Sequence, residues 1–226
     1  MKKLLIASIL TLLALAAHAA AQTPAPAQTQ TPAPAQTPAP APTQAGHEFS
    51  PLVEKTFDYK DWNLPDLKTE KPVDLRSLMK GKKLVLVVYF APWCRNWKFE
   101  APVAQKLYDK YKDQGFQIIG VSEYGSKDEV RTFFGETGPT FPVVVESEAR
   151  DVRDKTTHYG YRQSTGDTRN WGSPWNIFLE PDKTNKTGDV ITAKAWIVNG
   201  ELVEDEVDKF IATKVQAPST AKKDPQ

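Results

Sequence analysis

Apolar and polar residues follow two different periods along the chain, and the change from one to the other outlines the elements of a folded domain. Residues 82–90, KKLVLVVYF, are a continuous run of β-branched and aromatic side chains, typical of a strand buried on both faces. The apolar residues that follow recur at helical spacing and end near Gly115; they are Trp97, Ala101, Ala104, Leu107, Tyr108 and Tyr111. This part of the sequence therefore predicts a buried strand followed by a helix.

The rest of the pattern continues the alternation. Strands are predicted at 117–123, 142–146, 176–180 and 191–198, and helices at 127–138, 149–160 and 203–215. Gly138-Pro139 is the expected end of the helix at 127–138. Alternating strands and helices, followed by two adjacent strands and a last helix, predict an α/β domain with a central mixed β-sheet flanked by helices. Functional sites of such sheets lie beyond the carboxyl ends of the strands.

The first 21 residues have the features of a secretory signal peptide. Lys2 and Lys3 precede an apolar run from Leu4 to Ala17, and small residues follow at the cleavage position. The run is shorter than the roughly 20 residues that span a bilayer. We therefore expect an exported, periplasmic or extracellular bacterial protein without an integral membrane span after cleavage; an uncleaved signal would leave it tethered to the membrane.

The segments on either side of the predicted domain have a composition typical of disorder. Residues 22–46 repeat QTPAPA three times and carry no large apolar side chain over most of their length, so they cannot bury enough surface to offset the entropy of ordering. Residues 216–226 are also mostly polar. We predict a Pro/Ala/Gln/Thr-rich disordered linker at 22–46, a single domain at 47–215 and a disordered tail at 216–226. The linker serves either as a spacer or as a solvated leader without a partner.

Charge and cysteine content narrow the classes of function. The chain has 29 basic and 28 acidic residues, and loss of Lys2 and Lys3 leaves 27 basic residues. This balance gives no electrostatic footprint for nucleic acid or for an anionic membrane. One cysteine excludes an internal disulfide framework, and with three histidines it makes a structural zinc site improbable. No metal or other cofactor is expected.

The one cysteine, Cys94, lies four residues after the strand at 82–90 and at the start of the predicted helix. Backbone N–H groups and the positive end of the helix dipole favour a thiolate at such a position. Arg95 and Lys98 add positive charge nearby. Cys94 is therefore the candidate nucleophile, and the alternative is an inert, partly buried thiol.

Three motifs surround Cys94 in the sequence. They are NLPDLKTEKPVDLRSLMKGKKLVLVVYFAPWC at 63–94, Glu100 and Pro102 after the cysteine, and WGSPWNIFLE at 171–180. Together they resemble the thioredoxin-like superfamily, and specifically the TlpA/ResA branch of exported thiol-disulfide oxidoreductases with its AhpC/TSA redoxin relatives. That family has an opening similar to 63–94, a C-x-x-C-x-x-E-x-P run that Glu100 and Pro102 match, and a segment like 171–180 with a cis proline facing the active cysteine. The resemblance covers about residues 55–213 and implies a thioredoxin-like fold, with Pro174 cis and the Ser173 backbone pairing with extended peptides.

The sequence departs from this family at three places. Trp97 stands where the second cysteine would release the substrate from a mixed disulfide, which an indole cannot do. Val88 stands where the family has Asp or Asn, so that position supplies no buried carboxylate. Residues 159–175 lengthen the approach to Pro174 with polar and aromatic residues that would lie beside the cysteine. His158, just before them, is expected at the surface near a helix end.

Three hypotheses of function follow. The first is monothiol exchange at Cys94 with protein or small-molecule thiols and disulfides, with a Cys94-linked dimer as a further product. The second is a non-catalytic module that binds extended peptides or a redox partner. The third is a weak thiol peroxidase, disfavoured because Val87 and Ala91 replace the Pro and Thr of the peroxiredoxin motif. The candidate substrate-binding residues are Trp93, Trp97, Ser173 and Pro174, and Arg95 and Glu100 are candidates for tuning charge or protons.

Overall fold

The computed structural model describes residues 45–216. The predicted signal peptide, most of the linker and nearly all of the C-terminal tail lie outside these residues. The strands of the described part are β1 Phe49–Ser50, β2 Val53–Lys60, β3 Asn63–Pro65, β4 Pro72–Asp74, β5 Leu84–Phe90, β6 Phe116–Ser122, β7 Val143–Val145, β8 Trp175–Leu179, β9 Val190–Val198 and β10 Glu201–Leu202. Its α-helices are α1 Leu75–Met79, α2 Arg95–Tyr111, α3 Lys127–Phe134, α4 Thr157–Thr165 and α5 Glu204–Gln216.

Six of these strands form one mixed sheet in the order β2-β9-β8-β5-β6-β7. β5, β6 and β7 are parallel, whereas β8 is antiparallel to β5, β9 to β8, and β2 to β9. The predicted fold class, a mixed sheet flanked by helices, is confirmed. Because β8 is antiparallel to β5, the residues that follow β5 lie beside those that precede β8, which brings Cys94 close to Pro174.

Side chains of β5 alternate between two cores, as the period of a strand requires. Leu84, Leu86, Val88 and Phe90 pack on the face covered by α2 and α5, and we call this the first face. Val85, Val87 and Tyr89 pack on the opposite, second face, with Leu75 and Met79 of α1 and Tyr161 of α4. Both faces of the strand are therefore buried, as the continuous apolar run at 82–90 predicts.

Two helix predictions are wrong in their bounds. The helix predicted at 127–138 ends at Phe134, because Gly135 follows it with φ 72°, a conformation that favours glycine. The helix predicted at 149–160 begins only at Thr157. Thr156 ends the preceding short 3₁₀ turn by donating to the Arg153 carbonyl at 2.8 Å, and it caps α4 by accepting from the Tyr159 N–H at 3.1 Å.

The segment before α1 contains strands that the sequence pattern did not predict. β2 is an edge strand, and of its eight residues only Phe57 and Tyr59 are buried. The other positions are polar or partly exposed, so the strand lacks the continuous apolar run that identifies β5 and β6. None of the described helices is both long enough and apolar enough to cross a bilayer.

Candidate functional site

Cys94 occupies the N-cap of α2, directly after the turn that leaves β5. Its N–H donates to the Ala91 carbonyl at 2.9 Å, which holds the turn closed. No side chain caps the N terminus of this helix, and the cysteine is partly exposed. The thiol therefore lies at the positive end of a 17-residue helix, where substrates can reach it.

The Ser173–Pro174 peptide bond is cis, which confirms the prediction for Pro174. The Cys94 thiol donates to the Ser173 carbonyl with an Sγ···O distance of 3.1 Å. The Ser173 hydroxyl accepts from the Ala91 N–H at 2.8 Å. These two hydrogen bonds join the turn after β5 to the turn before β8, so thiol and proline form one local structure.

Trp97 does not line the surface of this site. It is 0% exposed and stacks on Phe90 with the ring centroids 4.5 Å apart, while Phe133 lies 5.8 Å away. Trp97 is one helical turn after Cys94, on the side of α2 that faces the sheet, and this explains its burial. The prediction that Trp97 binds substrate is therefore wrong: its indole is part of the first-face core.

Glu100, a candidate for tuning charge or protons, lies in the interior of the protein. It is 2% exposed, and its Oε2 accepts from the Leu202 N–H at 2.8 Å and from Asn176 Nδ2 at 3.2 Å. Burial raises the pKa of this carboxyl to about 8, against the smaller opposing effect of the two hydrogen bonds. Asn176 of β8 is the cross-strand partner of Val88 in β5. Through its contact with Asn176, Glu100 of α2 places a carboxyl group near Val88, a position that supplies none itself.

Arg95 is exposed, and its guanidinium lies 5.2 Å from the centroid of the Phe99 ring and against Gly46. Among the described contacts it makes no hydrogen bond to the thiol. Lys98 lies in a cleft of about 510 Å³ beside Trp93, which α3 closes with Ser126 and Phe133. Both cations are exposed in the first turn of α2, and Asp128 and Glu129 line the same cleft as Lys98.

Trp93 forms an aromatic surface with Trp171, a residue of the lengthened segment before Pro174. The two indole rings meet edge to face with centroids 5.2 Å apart, and Trp93 Nε1 donates to the Tyr124 carbonyl at 2.8 Å. The Arg150 guanidinium lies 4.3 Å from the Trp93 ring, and that of Arg153 lies 5.4 Å from Trp171. The residues that adjoin Cys94 thus combine flat aromatic rings with positive charge.

The segment at 159–175 is held by a buried ion-pair network that sequence reasoning missed. Arg162 and Asp167 are both almost fully buried and lie 3.2 Å apart, and Asp167 also binds Arg169 at 2.7 Å. Arg169 donates to the Pro174 carbonyl at 2.8 Å. At Gly172, φ is 57° and an added Cβ would lie 1.7 Å from Arg162 Nε, so only glycine fits there. The network therefore positions the turn that touches the thiol.

His158 is fully buried, so its predicted position at the surface is wrong. Its Nδ1 lies 2.9 Å from the Tyr124 hydroxyl, and its ring stacks on Tyr89 with centroids 5.1 Å apart. Burial holds the pKa of this imidazole well below its usual range, which keeps the ring neutral. The buried residues of α4 are His158, Tyr161, Arg162 and Thr165. Their helical spacing is the signal that could have identified this inward-facing side.

Comparison with known proteins identifies the family. The sequence profile of the AhpC/TSA family matches residues 58–170, which include Cys94 and end just before Pro174. A thiol-disulfide oxidoreductase ResA of Oceanobacillus iheyensis is 41% identical over 67 residues, 30% of this chain and 34% of that protein. The Bacillus subtilis ResA is 36% identical over 84 residues, 37% of this chain and 45% of that protein. The chain thus spans less than half the length of these two relatives.

One of two similar solved structures supports the fold. A proposed protein disulfide isomerase from Bacteroides thetaiotaomicron has a TM-score of 0.50 and 21% identity, and the match covers 75% of this chain and 96% of the other. A thioredoxin family thiol:disulfide interchange protein from Chlorobium tepidum has a TM-score of 0.49 and 19% identity over 71% of this chain and 97% of that one. At such identities the likeness concerns the fold alone.

Proposed function

The chain belongs to the AhpC/TSA family of thioredoxin-like proteins, related to thiol-disulfide oxidoreductases, and from this premise we propose that it exchanges thiols and disulfides through the single sulfur of Cys94. We further propose that the protein acts outside the cytoplasm, because residues 1–21 have the features of a signal peptide. The observation that carries the mechanism is the partly exposed thiol at the N terminus of α2, 3.1 Å from the Ser173 carbonyl.

The proposed reaction begins when the Cys94 thiolate attacks a substrate disulfide. A bond forms between Cys94 Sγ and one substrate sulfur, and the other substrate sulfur leaves as a thiolate. An external thiolate then attacks Cys94 Sγ and releases the second substrate sulfur, and a second external thiol frees Cys94. The substrate disulfide is reduced to two thiols, and two external thiols are oxidised to one disulfide.

The external thiol is needed because the chain has no second cysteine. The position that would hold one is occupied by Trp97, which is buried against Phe90 and cannot approach a mixed disulfide. Ionisation of Cys94 also releases the Ser173 carbonyl from its hydrogen bond, since the S–H donor is lost. We propose that this carbonyl then accepts from the backbone of an extended substrate, with Trp93 and Pro174 as the neighbouring contacts.

A second candidate function, binding without catalysis, is favoured by the aromatic surface of Trp93 and Trp171. Tryptophan and arginine are enriched at the centres of protein interfaces. Here Trp93 contacts Trp171, and the Arg150 guanidinium lies over the Trp93 ring. An extended peptide held there would need no sulfur chemistry. This candidate predicts equal binding by the wild type and a Cys94→Ser variant.

Trapping of the mixed disulfide separates the two candidates. The protein is incubated with a small protein that contains one disulfide, quenched in acid, alkylated and analysed by mass spectrometry without reductant. We expect an adduct through Cys94 in the wild type, its disappearance on addition of glutathione, and no adduct with Cys94→Ser. An unmodified Cys94 together with unchanged substrate affinity in Cys94→Ser would favour the binding module and contradict monothiol exchange.

A further inference from the structure

A cleft of about 610 Å³ opens at the end of the sheet opposite Cys94. β5 begins there at Leu84 and β8 ends there at Leu179, whereas Cys94 follows the other end of β5. The walls of the cleft are the turn at residues 80–83 and the loop that follows β8. The cleft is therefore separate from the proposed redox site.

The lining of this cleft is strongly basic. Its cations are Arg76, Lys80, Lys82, Lys83 and Lys186, and its single carboxylate is Asp182. These cations come from two segments, at 76–83 and 181–186, that are distant in sequence. The excess of positive charge is local, because the whole chain is nearly neutral.

The lysines of the cleft outnumber the carboxylates on its wall. Lys83 Nζ donates to the Val215 carbonyl at 2.5 Å and Lys186 Nζ to the Pro181 carbonyl at 2.6 Å, and neither acceptor is charged. Asp182, the one carboxylate of the lining, can offset the charge of one lysine out of four. By contrast Lys183 and Lys214, just outside the cleft, both pair with Glu180 at 2.8 Å. The lining therefore keeps an excess of positive charge.

Arg76 fixes one wall of the cleft. Its guanidinium is anchored by Asp61 and by the Gly188 carbonyl at 2.6 Å. The Asp61 carboxylate offsets the charge of Arg76, so the excess of positive charge in the cleft comes from its four lysines.

From these observations we propose that the cleft binds an anion that carries two or more phosphate groups. Phosphate oxygens accept charge-assisted hydrogen bonds from both ammonium and guanidinium groups. A ligand with several phosphate groups can reach lysines on both walls at once, and the cleft is larger than a single phosphate needs. Such a ligand is either a soluble polyphosphate or the headgroup of a lipid with two phosphates.

Calorimetric titration with tripolyphosphate at constant ionic strength tests this proposal. The wild type is compared with Lys80→Gln/Lys82→Gln and with the control Lys68→Gln/Lys71→Gln, which removes the same charge from lysines outside the cleft. We expect the cleft variant to bind at least about tenfold more weakly, since each lost charge-assisted bond is worth roughly tenfold in affinity. The control should stay within about twofold of the wild type.

Three results would overturn the proposal: no binding by the wild type, equal weakening in both double variants, or citrate binding as tightly as tripolyphosphate. Co-sedimentation with vesicles that do or do not contain cardiolipin identifies the source of the phosphates. Pelleting with cardiolipin that tripolyphosphate reverses assigns a lipid headgroup, and tripolyphosphate binding without pelleting assigns a soluble ligand. Neither arm depends on Cys94, so failure here leaves the proposed redox function untouched.

Discussion

Both faces of the central sheet bury a large cluster of side chains, but the two clusters differ in chemistry. The first face, under α2 and α5, is mostly aliphatic and aromatic, and the buried carboxyl of Glu100 comes from α2. The second face contains Tyr59, Tyr89, Tyr161 and Trp175, and His158 stacks on it. Cys94 is the N-cap of α2, which covers the first face. Pro174 follows the segment that begins with α4, which packs on the second face. The proposed site therefore lies where a mostly apolar core meets one that is rich in hydrogen-bonding side chains.

The largest effect should come from truncating the first face at its centre. Trp97→Ala removes a fully buried indole between Phe90 and Phe133, and we expect a loss of about 3–5 kcal/mol in the free energy of unfolding. Urea denaturation measures it. Trp196→Ala, at a partly exposed indole, should cost clearly less. A loss under about 1 kcal/mol in Trp97→Ala would mean that this indole is not part of the core.

The second prediction concerns the ionisable group of the first face. The folded state raises the pKa of Glu100 to about 8, whereas the unfolded chain has its ordinary value of 4.5. Between these pH values the unfolded chain releases this proton and the folded protein keeps it, so this group lowers the free energy of unfolding as the pH rises, by up to about 1.4 kcal/mol per pH unit.

Glu100→Gln should therefore flatten the fall in stability between pH 5 and pH 8, measured by urea denaturation at several pH values. The buried Glu123, whose pKa burial also raises, keeps its own contribution of the same sign. Glu136→Gln, at an exposed carboxyl, is the control and should leave the slope unchanged. An identical slope in Glu100→Gln and the wild type would show that Glu100 ionises freely in the folded protein.

The smallest of the three effects should come from the second face. The Tyr89 and Tyr59 hydroxyls lie 2.9 Å apart, and Trp62 Nε1 donates to Tyr59 at 3.1 Å. Either hydroxyl can donate in this pair, so Tyr89→Phe removes a buried hydrogen bond and leaves the Tyr59 hydroxyl with Trp62 as its remaining partner. We expect a loss of about 1–3 kcal/mol in thermal or urea denaturation. Tyr108→Phe is the control, because the Tyr108 hydroxyl makes no hydrogen bond among the described contacts; losses of equal size would remove the contrast between the faces.

The same contrast explains which elements the sequence could predict. β5 is a continuous apolar run and α2 has a clear helical period, so both the strand at 82–90 and the helix that carries Trp97 were predicted. The resemblance also led to the cis Pro174 beside Cys94. The bounds of α4 and the edge strand β2 were missed because their inward faces contain Tyr, His, Arg and Thr, which hydropathy counts as polar.

The assignment of Trp97 to the substrate-binding surface failed for a related reason, whereas the role of Glu100 in tuning charge or protons stays a prediction. Spacing identified Trp97 and Glu100 as neighbours of the cysteine along α2, but spacing alone does not say which side of the helix faces the sheet. The structure shows that both face inward, because Trp97 packs on Phe90 and Glu100 binds Asn176 and Leu202. The ion pair of Arg162 with Asp167 had no sequence signal, since a buried charge is recognised only by its partner.

The central claim is that one sulfur performs disulfide exchange with help from an external thiol. Its most direct test is the rate at which the protein reduces a small protein disulfide, with and without glutathione, in the wild type and in Cys94→Ala. We expect turnover above the uncatalysed rate only in the wild type and only with glutathione, and no more than one equivalent of substrate thiol without it. A wild-type rate equal to that of Cys94→Ala would contradict the account.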